Sequence, residues 1–216
     1  MRGTEHGQVV ELVEGRDDEW RARYAALEAR IRSLLPNAGI EHIGSTSVPG
    51  FVAKDVVDVL VGVRLGEIAE AAHALRDDGM DLEAIRHGHA WLSLPSRSAR
   101  DVVIHIAERG GALWRDRLDF RELLNVSADA RASYLAVKRD LAEGASDWGS
   151  YTAGKADIVR ELLARSRRTA SLDRMASGDQ QGIDARIQTY YGEVFDEHVR
   201  LTTRSASSEE RRVGEE

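Results

Sequence analysis

A chain of 216 residues, 42% hydrophobic and 31% charged, has room for one domain of about 150–200 residues and a tail. At this size it buries roughly 70% of its unfolded surface and needs no disulfide or metal staple. The absence of cysteine excludes a disulfide framework, a thiolate zinc site and a cysteine nucleophile, and the net charge of −7 argues against bulk nucleic-acid binding.

No apolar run reaches the roughly 18 residues of a membrane span. The opening MRGTEHGQVVELVEG carries acids among its apolar residues, unlike a signal peptide. The expectation is a soluble cytoplasmic protein with no membrane partner. Val9–Val13 reads as an edge strand or apolar lead-in, and Asp17 and Asp18 as N-cap and first-turn residues of a helix. Trp20, Tyr24, Leu27, Ile31 and Leu34 share that helix's apolar face, and Pro36 and Asn37 end it. Ile40–Ile43 is a short strand running into a Gly-Ser turn. Val56–Val63 is nearly continuous valine and leucine, as suits a strand buried on both faces. Leu65–Leu75 reads as a helix. Met80–Ile85, Ala90–Leu94 and Val102–Ala107 read as strands, with turns at Gly88 and over Pro95–Arg100. From Ala112 the pattern is helical, with Trp114, Leu118 and Leu124 on one helix, Tyr134, Val137 and Leu141 on a second, and Tyr151–Leu163 on a third. The order predicts an α+β domain over 1–166, a mixed sheet flanked by helices with a C-terminal helical block.

Residues 167–182, rich in Ser, Arg, Asp and Gly, read as a linker. Ile183, Ile187, Tyr190, Val194 and Leu201 line one face of an amphipathic helix over 183–203, which would pack on the core or on a second copy in a homo-oligomer. Residues 204–216 are polar and read as a disordered tail.

The segment His42-Ile-Gly-Ser-Thr-Ser-Val-Pro-Gly50 concentrates the chemistry. Gly44, Ser45, Thr46 and Ser47 offer backbone donors and hydroxyls to a phosphate at a sharp turn. It is no P-loop, since Phe51 stands where that motif has lysine. Asp58 follows on the apolar strand, where a carboxylate is costly unless paired. A Gly-Ser turn followed by such a carboxylate resembles the start of the nucleotidyltransferase-fold pattern, in which carboxylates at i and i+2 share a face and bind metal. Here the position two before Asp58 is Val56, and Asp55 points to the opposite face of a regular strand. Lys54 has the parity of Asp58 and supplies positive charge in the same place. Tyr151 and Lys155 share a helix face. His6, His73, His87, His89 and His198 show no consistent spacing and receive no role.

HIGSTSVPG followed by Lys54-x-x-x-Asp58 closely resembles the GrpB family, a group with a nucleotidyltransferase-like fold. The likeness extends through Val9–Trp20, Val103-Ile-His105-Ile106, Phe120-Arg121-Glu-Leu-Leu124, Tyr134-x-x-x-Lys138 and Tyr151-Thr-x-x-Lys155, and covers roughly 9–165. Three departures stand out. Asp55 replaces the usual proline, Val103 stands where a first histidine would be, and the loop over Gly88–Arg100 is short.

The resemblance and the residues together give two expectations. One is a non-catalytic or accessory domain that binds a nucleotide or another phosphorylated small molecule. The other is a Mg²⁺-dependent nucleotidyl or phosphoryl transferase. In the transferase reading Asp58 holds the metal and His105 acts as ligand or acid/base. In both, Gly44, Ser45, Thr46, Ser47, Lys54, Arg121, Lys138, Tyr151 and Lys155 contact the phosphorylated ligand.

Overall fold

The computed structural model describes residues 11–144 and 148–176, with side chains over 11–142 and 154–172. The chain divides into two compact units, Met1–Ser166 and Arg167–Glu216, and the sheet and helices that build the site belong to the first. The elements are α1 (Asp17–Leu34), β1 (Gly39–Ile43), β2 (Val57–Val63), α2 (Ile68–Asp77), β3 (Asp81–Arg86), β4 (His89–Ser96), β5 (Ala99–Glu108), α3 (Ala112–Val126), α4 (Ala128–Gly144) and α5 (Trp148–Ala176). Single 3₁₀ turns occupy Ser45–Ser47 and Leu65–Glu67.

The strands form one mixed sheet in the order β1-β2-β5-β4-β3. β2 and β5 run parallel at its centre, and the other neighbours are antiparallel. Because side chains alternate along a strand, each face has its own composition. Val57, Val59, Val61, Ile104, Ile106 and Leu92 pack on one face against Trp20, Leu27 and Ile31 of α1 and Ile68, Ala72 and Leu75 of α2. On the opposite face Asp58 and Leu60 of β2 stand beside Val103 and His105 of β5, which stand in turn beside Ser93 and Trp91 of β4. Trp114 of α3 covers the apolar end of this face, against Ile43, Leu60 and Ala107. Gly62 admits it, since a Cβ there would lie 2.4 Å from Trp114 Cζ3. Phe120 and Leu124 of α3, Tyr134 of α4 and Leu162 and Leu163 of α5 form a second core with Val48 and Phe51.

This is the expected α+β architecture, with differences in detail. Of the lead-in, Val13 pairs with Ala53 as a single bridge. Arg16, with no side-chain cap bond, occupies the N-cap of α1. Asp17 instead accepts the Gly50 N–H at 2.8 Å. β4 continues through Pro95 to Ser96 by a register shift, which shortens the expected Pro95–Arg100 turn. α5 runs to Ala176, so residues 167–176 of the expected linker are helical. No proline or glycine interrupts the chain between Gly154 and Gly178, and Arg, Ala and Leu favour helix there. The helix expected over 183–203 and the tail over 204–216 lie outside the described residues. No described helix is long and apolar enough to cross a membrane.

Asp55 fastens α1 to the segment before β2. It accepts from Trp20 Nε1 at 3.0 Å and pairs with Arg16 at 2.7 Å and Arg23 at 3.1 Å. The carboxylate thus stands away from Asp58, on the α1 side of the sheet, drawn there by its α1 partners at the bend before β2. Asp55→Ala leaves the buried indole N–H without its acceptor. The expected loss is about 1–3 kcal/mol, read by denaturant unfolding, with anion binding in the folded fraction unchanged.

Candidate functional site

The polar half of the second sheet face lies at the N-terminal end of β2, beneath the Gly-Ser turn and the α3–α5 block. Gly44 shapes it. Its φ of 73° and ψ of −171° fall in a region open essentially to glycine alone, and a Cβ on it would stand 2.4 Å from Asp58 Oδ2. One carboxylate oxygen therefore packs against the turn. The other, Oδ1, faces His105 Nε2 at 3.6 Å. His105 Nδ1 in turn lies 3.2 Å from His89 Nε2, the two rings stacked at 18°.

Burial pushes His89 down to about 4, helped by the charges of His105, Arg117 and Arg86. Burial also lowers His105, against the pull of Asp58. Burial disfavours the charged form of both rings, and one set of tautomers satisfies the chain. His89 Nε2–H points at His105 Nδ1, and His105 Nε2–H points at Asp58. For Asp58, burial acts to raise the pKa, but the neighbouring His105, Lys155 and Arg117 outweigh it and hold the carboxyl below its ordinary value. Asp58 is a fixed carboxylate and a weak base, a poor proton acceptor at neutral pH.

Three lysines from three parts of the chain act on this carboxylate. Lys138 of α4 is 1% exposed. Its Nζ donates to Ser45 Oγ at 2.9 Å and to Val52 O at 2.7 Å, and lies 5.0 Å from the Phe51 ring centroid. Burial first, then the charge of Lys155, pushes it down to about 7, while Asp58 pulls the other way. Lys54 is likewise pushed down to about 7 by burial, Lys155 and Arg100, again against Asp58. Lys155 of α5 is lowered by burial, with Asp58 opposing and Arg117 assisting.

The other expected ligand residues divide. Thr46 is buried with its hydroxyl 3.0 Å from His42 Nε2, and Ser47 Oγ folds back onto Gly44 O at 2.7 Å, so both hydroxyls are used within the turn. The Ser47 and Val48 N–H groups are also spent there, on Gly44 O and Ser45 O. Arg121 donates to Glu41 Oε2 and His42 O, both at 2.9 Å, and braces β1 from α3. The Tyr151 side chain lies outside the described residues. Lys138 meets Ser45, His105 faces Asp58, and Lys54 and Lys155 stand close enough for their charges to act on Asp58.

Two features escaped the sequence reading. His89 joins His105 only through the β4–β5 register, although the alternation of His89, Trp91 and Ser93 marks one strand face. Glu83 and Arg100 form a largely buried bidentate pair, Nη2 to Oε2 at 2.6 Å and Nε to Oε1 at 2.8 Å, with Ser93 between them. No period in the sequence announces that pair, because Glu83 sits at the register shift of β3.

Among the described residues no group of three or more His, Cys, Asp or Glu is placed to hold a metal ion. Mg²⁺ wants near-octahedral oxygen ligands. This site offers one carboxylate, already packed on both sides, and several cations. The donor set does not fit a resident Mg²⁺. A separate cavity of about 780 Å³ opens at the far end of β2 beside Val63, Leu65 and Arg109, where Arg64 and Glu67 pair with each other.

The profile of the GrpB family, described as GrpB protein, matches residues 9–165. A UPF0157 protein of Deinococcus radiodurans is 42% identical over 164 residues, covering 76% of this chain and 86% of the relative. A UPF0157 protein of Streptomyces coelicolor is 37% identical over 153 residues, covering 69% and 81%. The crystal structure of conserved protein GrpB from Enterococcus faecalis matches with a TM-score of 0.60 at 24% identity, over 72% of this chain and 99% of that one. A profile match across most of the chain, on the segments that build the site, places this protein in the GrpB family.

Proposed function

We propose that the cleft between the polar sheet face and the α3–α5 block binds a phosphorylated small molecule such as a nucleotide, in a binding or accessory role and not as a transferase. The observation that carries this reading is the convergence of Lys54, Lys138 and Lys155 on one carboxylate beside Ser45. Three lysines that act on a single carboxylate gather positive charge in a half-buried place, where like charges cost free energy. A phosphate bound among the lysines relieves that cost. Ser45 Oγ, anchored from behind by Lys138, presents a hydroxyl to the same place. The incomplete carboxylate set speaks against in-line transfer, which needs charge neutralisation at both attacking and leaving oxygens.

A thermal-shift screen of phosphorylated metabolites tests the reading. A ligand present at 100 times its Kd stabilises the fold by about 2.7 kcal/mol, which raises Tm by several degrees for a domain of this size. If no nucleotide, sugar phosphate or phosphorylated cofactor precursor raises Tm, the cleft is not a phosphate site. Turnover of a nucleoside triphosphate at rates typical of enzymes would instead establish the transferase reading.

A further inference from the structure

We infer that the cleft takes its phosphoanion free of Mg²⁺, with lysine charge neutralising the anion in place of a metal and Asp58, both of whose oxygens are engaged, serving as counter-charge to the lysines. This inference rests on reading the cleft as a phosphate site.

A carboxylate that binds Mg²⁺ needs an oxygen free to turn toward the ion and a second oxygen-bearing side chain nearby. Here Asp58 Oδ2 is pressed against the Gly44 backbone and Oδ1 faces His105, itself held by His89. The neighbouring positions that could add a carboxylate are Val56 and Leu60, two residues before and after, and Ile43 and Val103, paired across on β1 and β5. All four are apolar and buried.

The charge balance points the same way. Asp58 feels Lys54, Lys138 and Lys155, and Arg117 and Arg100 act on the lysines. A divalent cation arriving here meets repulsion from every one of them, and a phosphate meets attraction from all. Asp58 is the carboxylate on which these lysines act, and it repels the phosphate. Its work is to hold the lysines together when no ligand is bound.

This makes the sign of one mutational effect diagnostic. If Asp58 carried a metal for the ligand, Asp58→Asn would abolish binding. If Asp58 only gathers the lysines, Asp58→Asn removes a repulsion and tightens binding.

The experiment is isothermal titration of the full chain with ATP and with pyrophosphate, in excess EDTA and in excess MgCl₂. Binding is expected in EDTA, weakened about fivefold or more by Mg²⁺, which neutralises the anion the lysines read. Asp58→Asn is expected to tighten binding in EDTA severalfold, and Lys155→Ala and Lys54→Ala each to weaken it about tenfold. Binding that appears only with Mg²⁺ and vanishes in Asp58→Asn overturns the inference and leaves the phosphate site standing. Absence of binding by either probe in both buffers, together with a silent thermal-shift screen, overturns the phosphate site and the inference with it. Should Asp58→Asn not fold, the EDTA against MgCl₂ comparison on the unaltered chain decides alone.

Discussion

Gly44→Ala is expected to collapse the site and to destabilise the fold. Two independent penalties meet at this position. The backbone stands at φ 73° and ψ −171°, a conformation that costs a residue with a Cβ about 1–3 kcal/mol. The added methyl would also stand 2.4 Å from Asp58 Oδ2 and 3.1 Å from Asp58 Cβ. The near atom is the end of a short side chain on a central strand, and it cannot swing far. Either the turn flips or the carboxylate leaves His105. If the turn flips, Ser45 moves off Lys138 Nζ, and a buried ammonium loses one of its two acceptors. Unfolding by urea should show a total loss of about 3–5 kcal/mol, and the protein that still folds should lose anion binding. Gly50→Ala is the control. It too has positive φ, at 68°, but no atom lies within 4 Å of its Cβ position, so it should cost stability and leave binding intact. Equal loss of binding in both variants would show that turn rigidity, not the approach of Asp58, organises the site.

What was legible in the sequence follows from which interactions are periodic. The strand over 57–63 was readable because a run of β-branched residues has one use, burial between two layers. Asp58 stood out within it for the same reason. Lys54 and Lys155 were singled out by an expected strand parity and by the family pattern, but β2 begins only at Val57, so parity does not govern where Lys54 points. Lys138 was expected at the ligand, yet it sits behind Ser45, because helix periodicity gives the face of a side chain and not the depth at which its amine ends. Arg121 was expected to hold phosphate and instead holds β1, since its partners Glu41 and His42 lie some 80 residues away in sequence. His89 and the Glu83–Arg100 pair depend on strand register, and register is fixed only when the sheet assembles. Asp55 in place of the family's proline became intelligible once α1 lay beside it with Arg16, Trp20 and Arg23.

The stability of the folded chain is expected to rise between pH 7 and pH 9, and Lys138 is the main reason. Its ammonium is 1% exposed. It faces Ser45 Oγ, Val52 O, the Phe51 and Tyr134 rings, the like charge of Lys155 and the more distant Asp58. Burial and Lys155 push its pKa from the ordinary lysine value of 10.5 down to about 7. The sign follows from proton counting. Between the folded and unfolded values the unfolded chain binds the proton and the folded chain does not, so raising the pH favours the folded state. At about 1.4 kcal/mol per pKa unit, and with the group half-titrated at the start, the gain from Lys138 between pH 7 and pH 9 is on the order of 2 kcal/mol. Lys54 adds a smaller rise, because it is less buried and solvent screens it. Tyr24 acts in the opposite sense at higher pH, since burial first and then Glu28 hold its phenol protonated above the ordinary value, so pH 9 is the useful upper limit. Lys138→Met isolates the effect. Methionine fills a similar volume without a proton, and the lost donors to Ser45 and Val52 give an offset that does not depend on pH. Chemical denaturation of both proteins across this range should show the difference between them changing by about 2 kcal/mol in favour of the parent as pH rises. A difference that stays flat would mean that Lys138 keeps its proton in the folded protein. Lys155, whose charge is what drives the Lys138 pKa down beyond burial, supplies the link to function. A phosphate that neutralises Lys155 must raise the pKa of Lys138, so binding takes up protons above pH 7, and anion affinity should fall as pH rises over the same interval in which the empty fold gains stability.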